Sequence, residues 1–571
     1  MEHDGIDRSV LVQNHDVHRL EGRDAQTDNF AAAKALSDVI ASTLGPKGLD
    51  KLLVTSDGTV VVTNDGASIV DRMEIVHPAA RSVVDVASKQ DSRVGDGTTS
   101  TIVLTGALLT EAESLLESGL HQTSVARGYS LAAERATETL RQRTVPIDSD
   151  DEEQLRSIAE TAITGKWNQQ ASEFLAEKTV SAVRAIQRDR TVELRRLTRK
   201  AIPGGSYYDS EVVDGLVIDM ESSSTTAVSP EPGPLDAFNS ATVALVDDQL
   251  TIETVSGQGA VSLESPDDLQ TLRTYERDIY ERYVDRIVDT GADVVFCQKS
   301  IDDMVRYLLA REGVLAVERT RQDELEKLGR ATGAHAVGTV DDLTESDVGR
   351  AQRIDQRDLG PTEVIVVDGG PGVEQASLVL RGGTQQVADE AKRVVDGCFH
   401  VLSHAIEDSI VVPGGGATEV SLASDLRSYA ASVSGREQLA IEAFADALEA
   451  IPRQLASSGG MDPIDTIVEL RASHDDGEFA TGLVFEGESG TIDDVRERGV
   501  LEPFAVKART ISGAAEAANL LVRVDDVVAT SGKETGEEAE HDHDHGPGAC
   551  RKRRGVPLGG RALDGALRPV P

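Results

Sequence analysis

Only three cysteines, Cys297, Cys398 and Cys550, occur in 571 residues. They lie far apart, form no CxxC pair and match no metal-ligand spacing. That excludes a disulfide framework or cysteine zinc site and points to a reducing compartment. No run reaches the roughly 18 apolar residues that a membrane span requires. The N-terminal "MEHDGIDRSVLVQNHD" has no apolar core of signal-peptide length. Base is scarce beside acid: 57 Lys and Arg face 99 Asp and Glu, a net charge of −42, and lysine is scarce beside arginine. Such a field repels nucleic acid and acidic membrane surfaces, so neither is an expected partner. These absences predict a soluble cytoplasmic protein. There is no G-x-x-x-x-G-K-[ST] loop, which argues against a small-molecule kinase or ATPase of that type.

What is present supports real cores. Hydrophobic residues make up 39%, and the length corresponds to about four domain-sized units. The acids are spread through the helices rather than gathered in one tail, a composition suited to a high-salt cytosol that screens self-repulsion. From about Asn29 to Arg143 the pattern is helical, broken by "KLLVTSDGTVVVTNDG", which reads as a β-hairpin with Asp57-Gly58 at its turn. "PIDSDDEEQ" marks a boundary by proline and charge. Further on, β-branched runs ("ATVALVDD", "DVVFCQ", "EVIVVDGG") alternate with charged helices. Helical segments then return, so a helical domain is split by a nested α/β insertion. The last forty residues swing from acidic ("EEAEHDHDHG") to basic ("RKRRG") without periodicity. They read as a disordered tail. The HDHDH tract offers at most weak metal binding, and the abrupt charge swing raises an altered 3′ reading frame.

The stretch "RVGDGTTSTIVLTGALL" carries chemistry. A helix needing only a cap would not need both Gly95 and Gly97. Glycines at a helix start let a ligand approach free N–H groups, usually a phosphate. An acid in that turn belongs there if a cation lies between. Gly95–Ser100 therefore reads as a Mg²⁺–nucleotide site, with Asp96 on the metal and the Thr98–Thr99 region donating to phosphate oxygens. Three further turns accompany it: "TLGPKGLDKLL", "VTNDGASIV" with Asp65, and "VVPGGGATEV". Each alone is an ordinary helix stop, turn or joint.

Together these runs closely resemble the group II chaperonins, the thermosome and its eukaryotic cytosolic relatives. "ITGK" at Ile163–Lys166, "GADVVFCQKSIDD", "SGREQLAIEAFADALEAIPR" and "LEPFAVKARTISGAAEAANLLVRVDDVV" extend the resemblance from Asn29 to Ala529. The acidic, lysine-poor composition suggests a haloarchaeal member. The resemblance implies a multidomain α plus α/β fold. Its split helical equatorial domain would span residues 1–153 and 413–531, and its intermediate hinge domain residues 154–222 and 379–412. A nested α/β apical domain would span 223–378, with a helical protrusion near 267–289, and residues 532–571 would form the tail. It implies an ATP-dependent chaperone subunit. Same or paralogous subunits would stack in a double ring and enclose unfolded polypeptide, with lid closure coupled to ATP. ATP, Mg²⁺ and K⁺ are the implied cofactors. Leu44 and Gly45 would approach the nucleotide, Asp96 would hold Mg²⁺, and Gly97, Thr98, Thr99 and Ser100 would bind phosphates. Gly415 would line the base and ribose side, and Glu502 would face the ribose. Lys166 would reach the γ-phosphate and Asp65 would help activate water.

One departure stands out. The family's second catalytic aspartate lies seventeen positions before the first glycine of the GGG turn, and here that position is Gly397. Asp396 is one residue early, about 100° around a helix; it would point away from the phosphate unless the helix shifts locally, the alternative being that Asp396 swings in and works normally. Losing a water-orienting carboxylate costs about two to four decades in rate. The alternative reading is therefore a nucleotide-binding but hydrolysis-poor structural subunit of a mixed ring.

Overall fold

The structure, a computed structural model, describes residues 17–55, 58–219, 238–252, 266–359, 362–370, 375–487 and 489–530. Asp57 of the expected hairpin turn and the expected tail, 532–571, lie outside the described residues. The described residues fall into two units, 17–19 with 528–530, and those within 20–527. The helical cores and the insertion between them all belong to the second unit.

The first core joins the two ends of that unit. Helices Gly22–Ala41, Pro78–Val94, Thr98–Glu117 and Gln122–Gln142 pack with Ala417–Ala430, Glu437–Leu448 and Phe504–Val522, and their apolar faces merge into one cluster. Thr98–Glu117 runs through it with ten buried residues. Two of its buried threonines remain tolerable because their hydroxyls bond back along the helix: Thr101 Oγ1 to the Gly97 carbonyl at 2.9 Å, Thr105 Oγ1 to the Thr101 carbonyl at 2.7 Å. The rings of Tyr129 and Phe444 meet edge-on with centroids 5.6 Å apart, and the Tyr129 hydroxyl donates to the Leu108 carbonyl at 2.7 Å. A buried ring thus has both a packing partner and a polar one.

A second core is built from segments on both sides of the insertion. Helices Glu152–Ile163, Gln169–Ile186 and Gln385–Asp408 pack on the sheet of Leu197–Pro203, Ala376–Gly382 and Glu211–Asp214. The insertion itself is a mixed sheet. Phe238–Val246 pairs in parallel with Val294–Cys297, which pairs with Leu315–Val317. On its other edge Phe238–Val246 pairs antiparallel with Gly349–Asp358, followed by Glu363–Asp368 and Leu216–Asp219. Both faces are covered, so the strands read as continuous apolar runs. Val243, Leu245, Val294 and Phe296 face helix Gln322–Thr332 through Leu325 and Leu328. Their neighbours Ala244, Val246, Val295 and Cys297 face Val284 and Ile287 of helix Pro266–Asp289 and Val305 and Leu309 of helix Asp303–Arg311, as a period of two requires. The fold is the expected combination of a split helical part with a nested α/β part.

The hairpin Lys51–Val54 with Val60–Thr63 leaves Leu52, Val54, Val60 and Val62 exposed. That is an apolar edge of the kind that marks an association surface. Among the described residues no helix is long and apolar enough to cross a membrane.

Phe444 is fully buried at the centre of the first core. Phe444→Ala is expected to cost about 3–5 kcal/mol by leaving a cavity, read as a lowered midpoint in denaturant unfolding.

Candidate functional site

A cavity of about 210 Å³ opens where the first and second helical cores meet. One wall is the turn between helices Pro78–Val94 and Thr98–Glu117. The first helix ends at Gly95 with φ 74°, and Gly97 caps the second with φ 90°. Both conformations are left-handed and suit glycine. Gly97 also has no room for a side chain: a Cβ there would lie 2.7 Å from Thr510 Oγ1. With no side-chain cap, the N–H groups of the first turn are left for a ligand. Thr98 Oγ1 is buried with no hydrogen-bond partner, and Thr98 lines the cavity. Asp96 Oδ1 accepts the Gly97 N–H at 2.6 Å. Burial pushes the Asp96 carboxyl up against the pull of that amide and of the ammonium groups of Lys166 and Lys507. A partly buried carboxyl beside free N–H groups suits a cation bound together with an anion.

The opposite wall comes from the second core. Asp65 caps helix Gly66–Arg72, accepting the Ser68 N–H at 2.7 Å. Its other contacts are Lys166 Nζ at 3.2 Å and Arg393 at 2.5 Å, both from the second core. Burial pushes the Asp65 carboxyl up, but the two cations outweigh it and hold the group well below the usual carboxylate range. Its ion pairs therefore stabilise the fold above the ordinary carboxylate pKa and are lost only as pH falls far below it. Lys166 follows Gly165, which has φ 77°. That turn presses on the Leu44–Gly45 turn so closely that a Cβ on Gly165 would lie 2.8 Å from the Gly45 carbonyl oxygen. Asn64 Nδ2 donates to the Gly165 carbonyl at 2.6 Å.

Asp65, Asp96, Thr98, Thr99 and Lys166 thus share the cavity wall. Gly97 sits in the same turn, while Ser100, Leu44, Gly45, Gly415 and Glu502 lie outside the lining. Glu502 pairs with Val412 on the strand beside the triple-glycine turn. Its Oε1 lies 3.0 Å from Lys507 Nζ, which also meets Glu419 Oε1 at 2.6 Å. One buried ammonium serves two carboxylates. Burial pushes the Glu502 carboxyl up, Lys507 opposes it, and Glu419 and Asp96 reinforce it. Gly415 has φ 58°, and its carbonyl accepts the Leu483 N–H at 2.8 Å. A Cβ there would lie 2.4 Å from the Leu483 carbonyl oxygen.

Sequence reasoning missed Asp91, Arg393 and the Lys507–Glu419 pair. Arg393 lies one helical turn before Gly397, on the same face, and that spacing was the available signal. Asp396 lines the cavity, with Oδ1 3.1 Å from Arg199 Nε, because the strand carrying Arg199 runs alongside its helix. Gly397 packs backbone to backbone on Gly95: a Cβ on Gly397 would lie 2.5 Å from the Gly95 carbonyl oxygen, and one on Gly95 2.2 Å from the Gly397 carbonyl oxygen.

The TCP-1/cpn60 chaperonin family matches residues 36–531. The chain belongs to that family. It is similar to a thermosome subunit of Methanopyrus kandleri, 42% identical over 92% of this chain and 95% of that protein. Thermosome subunit 1 of Haloferax volcanii is 42% identical over 94% of each chain. Thermosome subunit alpha of Halobacterium salinarum is 43% identical over 93% of each. The cavity therefore lies in a chaperonin subunit.

Two substitutions test the packing of this site. Alanine in place of glycine within a helix ordinarily stabilises by about 1 kcal/mol. At Gly397 the sign is expected to reverse, because the new Cβ meets the Gly95 carbonyl, and a lowered unfolding temperature of Gly397→Ala checks it. Lys507→Met leaves two buried carboxylates without their cation and is expected to cost about 3–5 kcal/mol, measured by denaturant titration.

Proposed function

We propose that this chain is an ATP-dependent chaperonin subunit that assembles with like or paralogous subunits into a double ring and encloses unfolded polypeptide. The cavity between the helical cores is its nucleotide site. The observation that carries the reading is the uncapped start of helix Thr98–Glu117, with the unpartnered Thr98 hydroxyl and the partly buried Asp96 beside it. That donor set matches a phosphate accompanied by a divalent cation. Asp96 would hold Mg²⁺, which when bound neutralises phosphate charge. Gly97, Thr98, Thr99 and Ser100 supply N–H and hydroxyl donors. Lys166 and Arg393, carried on the second core, supply positive charge. Asp65 fixes those two cations, and the turn at Leu44 and Gly45 keeps the Lys166 turn in place. Gly415 and Glu502 shape the flank towards the hairpin Thr481–Glu486 with Ser489–Asp494. The nested α/β unit would serve as the apical domain, with helix Pro266–Asp289 as its protrusion, and the second core as the hinge. The exposed apolar hairpin at Lys51–Thr63 supports assembly into rings. K⁺ is the expected accompanying ion, in keeping with an acidic, salt-adapted surface. The hydrolysis-poor alternative is not favoured, since close thermosome relatives span nearly the whole chain.

The test is ATP binding and steady-state hydrolysis by assembled particles in molar KCl with Mg²⁺. Asp96→Asn is expected to lower turnover by about 100-fold or more while leaving the particle folded. Failure of the unmodified protein to bind ATP under these conditions overturns the reading.

A further inference from the structure

Four carboxylates face the cavity: Asp65, Asp91, Asp96 and Asp396. Three are engaged. Asp65 is held by Lys166 and Arg393, Asp96 accepts the Gly97 amide, and Asp396 has the guanidinium of Arg199 3.1 Å from its Oδ1, an ion pair without a hydrogen bond. The Asp91 carboxylate makes no hydrogen bond or ion pair among the described residues. Its position is costly in three ways. It lies in the last turn of helix Pro78–Val94, where the helix dipole opposes negative charge. It is partly buried, and its charged neighbours include two like charges, Asp65 and Asp96. The nearby charges of Arg393 and Lys166 offset this only in part, and carboxylates kept against such costs concentrate where chemistry is done. On the facing helix Gly397 has no side chain and no room for one, and the carboxylate that helix does bring to the cavity, Asp396, lies against Arg199.

We propose that Asp91 is the catalytic residue that orients the attacking water and takes its proton, an inference that rests on the ATP reading above. The water oxygen bonds to the γ-phosphorus. The bond from that phosphorus to the β–γ bridging oxygen breaks, and its electron pair leaves with ADP. The water proton passes to the Asp91 carboxylate and then to solvent, leaving inorganic phosphate. The electrostatics agree with this role. Burial together with Asp65 and Asp96 pushes the Asp91 carboxyl up to about 6, against the opposing pull of Arg393 and Lys166. A base of that strength is matched to neutral pH.

The test uses assembled full-length particles carrying Asp91→Asn or Asp91→Glu. Asp91→Asn is expected to lower kcat by about 10²–10⁴-fold, with KM and the affinity for a non-hydrolysable ATP analogue unchanged. Its unfolding temperature should hold or rise, because an opposed charge is removed. Asp91→Glu should restore part of kcat. Full turnover by Asp91→Asn, or a fall in analogue affinity or unfolding temperature alongside kcat, overturns the assignment. Unmodified particles that bind ATP without turnover overturn it too while leaving the nucleotide site standing. Particles that bind no ATP overturn the reading beneath it.

Discussion

Asp65 is the charge on which the two helical cores meet. It caps its own helix in the first core and receives two cations from the second, Lys166 from one chain segment and Arg393 from another nearly 230 residues later. A partly buried carboxylate with two cations is stable only while both partners stay. The turn at Gly165 and the helix Gln385–Asp408 are therefore fixed against the first core by one side chain. Thr63 Oγ1 adds to this by donating to Glu390 Oε1 at 2.6 Å, one turn before Arg393.

The same interface is made close by what it lacks. Gly45 meets Gly165, and Gly95 meets Gly397, each at distances a Cβ would forbid. Glycine costs conformational entropy on folding, and here the return is the approach of two backbones around a cavity lined by carboxylates and cations. In the interiors on either side the logic is ordinary. Alanine, leucine and phenylalanine fill the helix interfaces, and polar groups such as the Thr105 hydroxyl are satisfied along their own helix or, as with Tyr129, by a carbonyl across the contact.

Much of this was legible in the sequence because it is local. Helix Gln385–Asp408 coincides with a single apolar-periodic run, and Thr98–Glu117 starts where glycines and threonines announce a phosphate turn. The mixed pairing of the α/β sheet was less legible, since alternation reports burial and not strand direction. The partners within the site were least legible. Asp65 finds Arg393 across the insertion, and Asp396 finds Arg199 because a strand passes beside its helix. A helical wheel places Asp396 about 100° from Gly397, yet it cannot say what stands at that angle, and the cavity proved wide enough to include both. Glu502 was singled out, but the ammonium that makes its burial possible lies on the next helix.

The pairing at Asp65 has a consequence for any anion that enters the cavity. Lys166 and Arg393 are the cations best placed to meet a phosphate, and both are already spent on Asp65. An incoming polyphosphate therefore competes with Asp65 for them. To the extent that it wins, it loosens the contact between the first and second cores and transfers it to the ligand. Because the two equilibria share the same charges, the reverse must also hold: shifting the second core changes the affinity of the cavity for anions by the same free energy. A ligand that bound both arrangements equally would move nothing. One that takes cations from a protein carboxylate has the differential affinity that movement requires, and in this chain the segments that would move continue directly into the nested α/β unit.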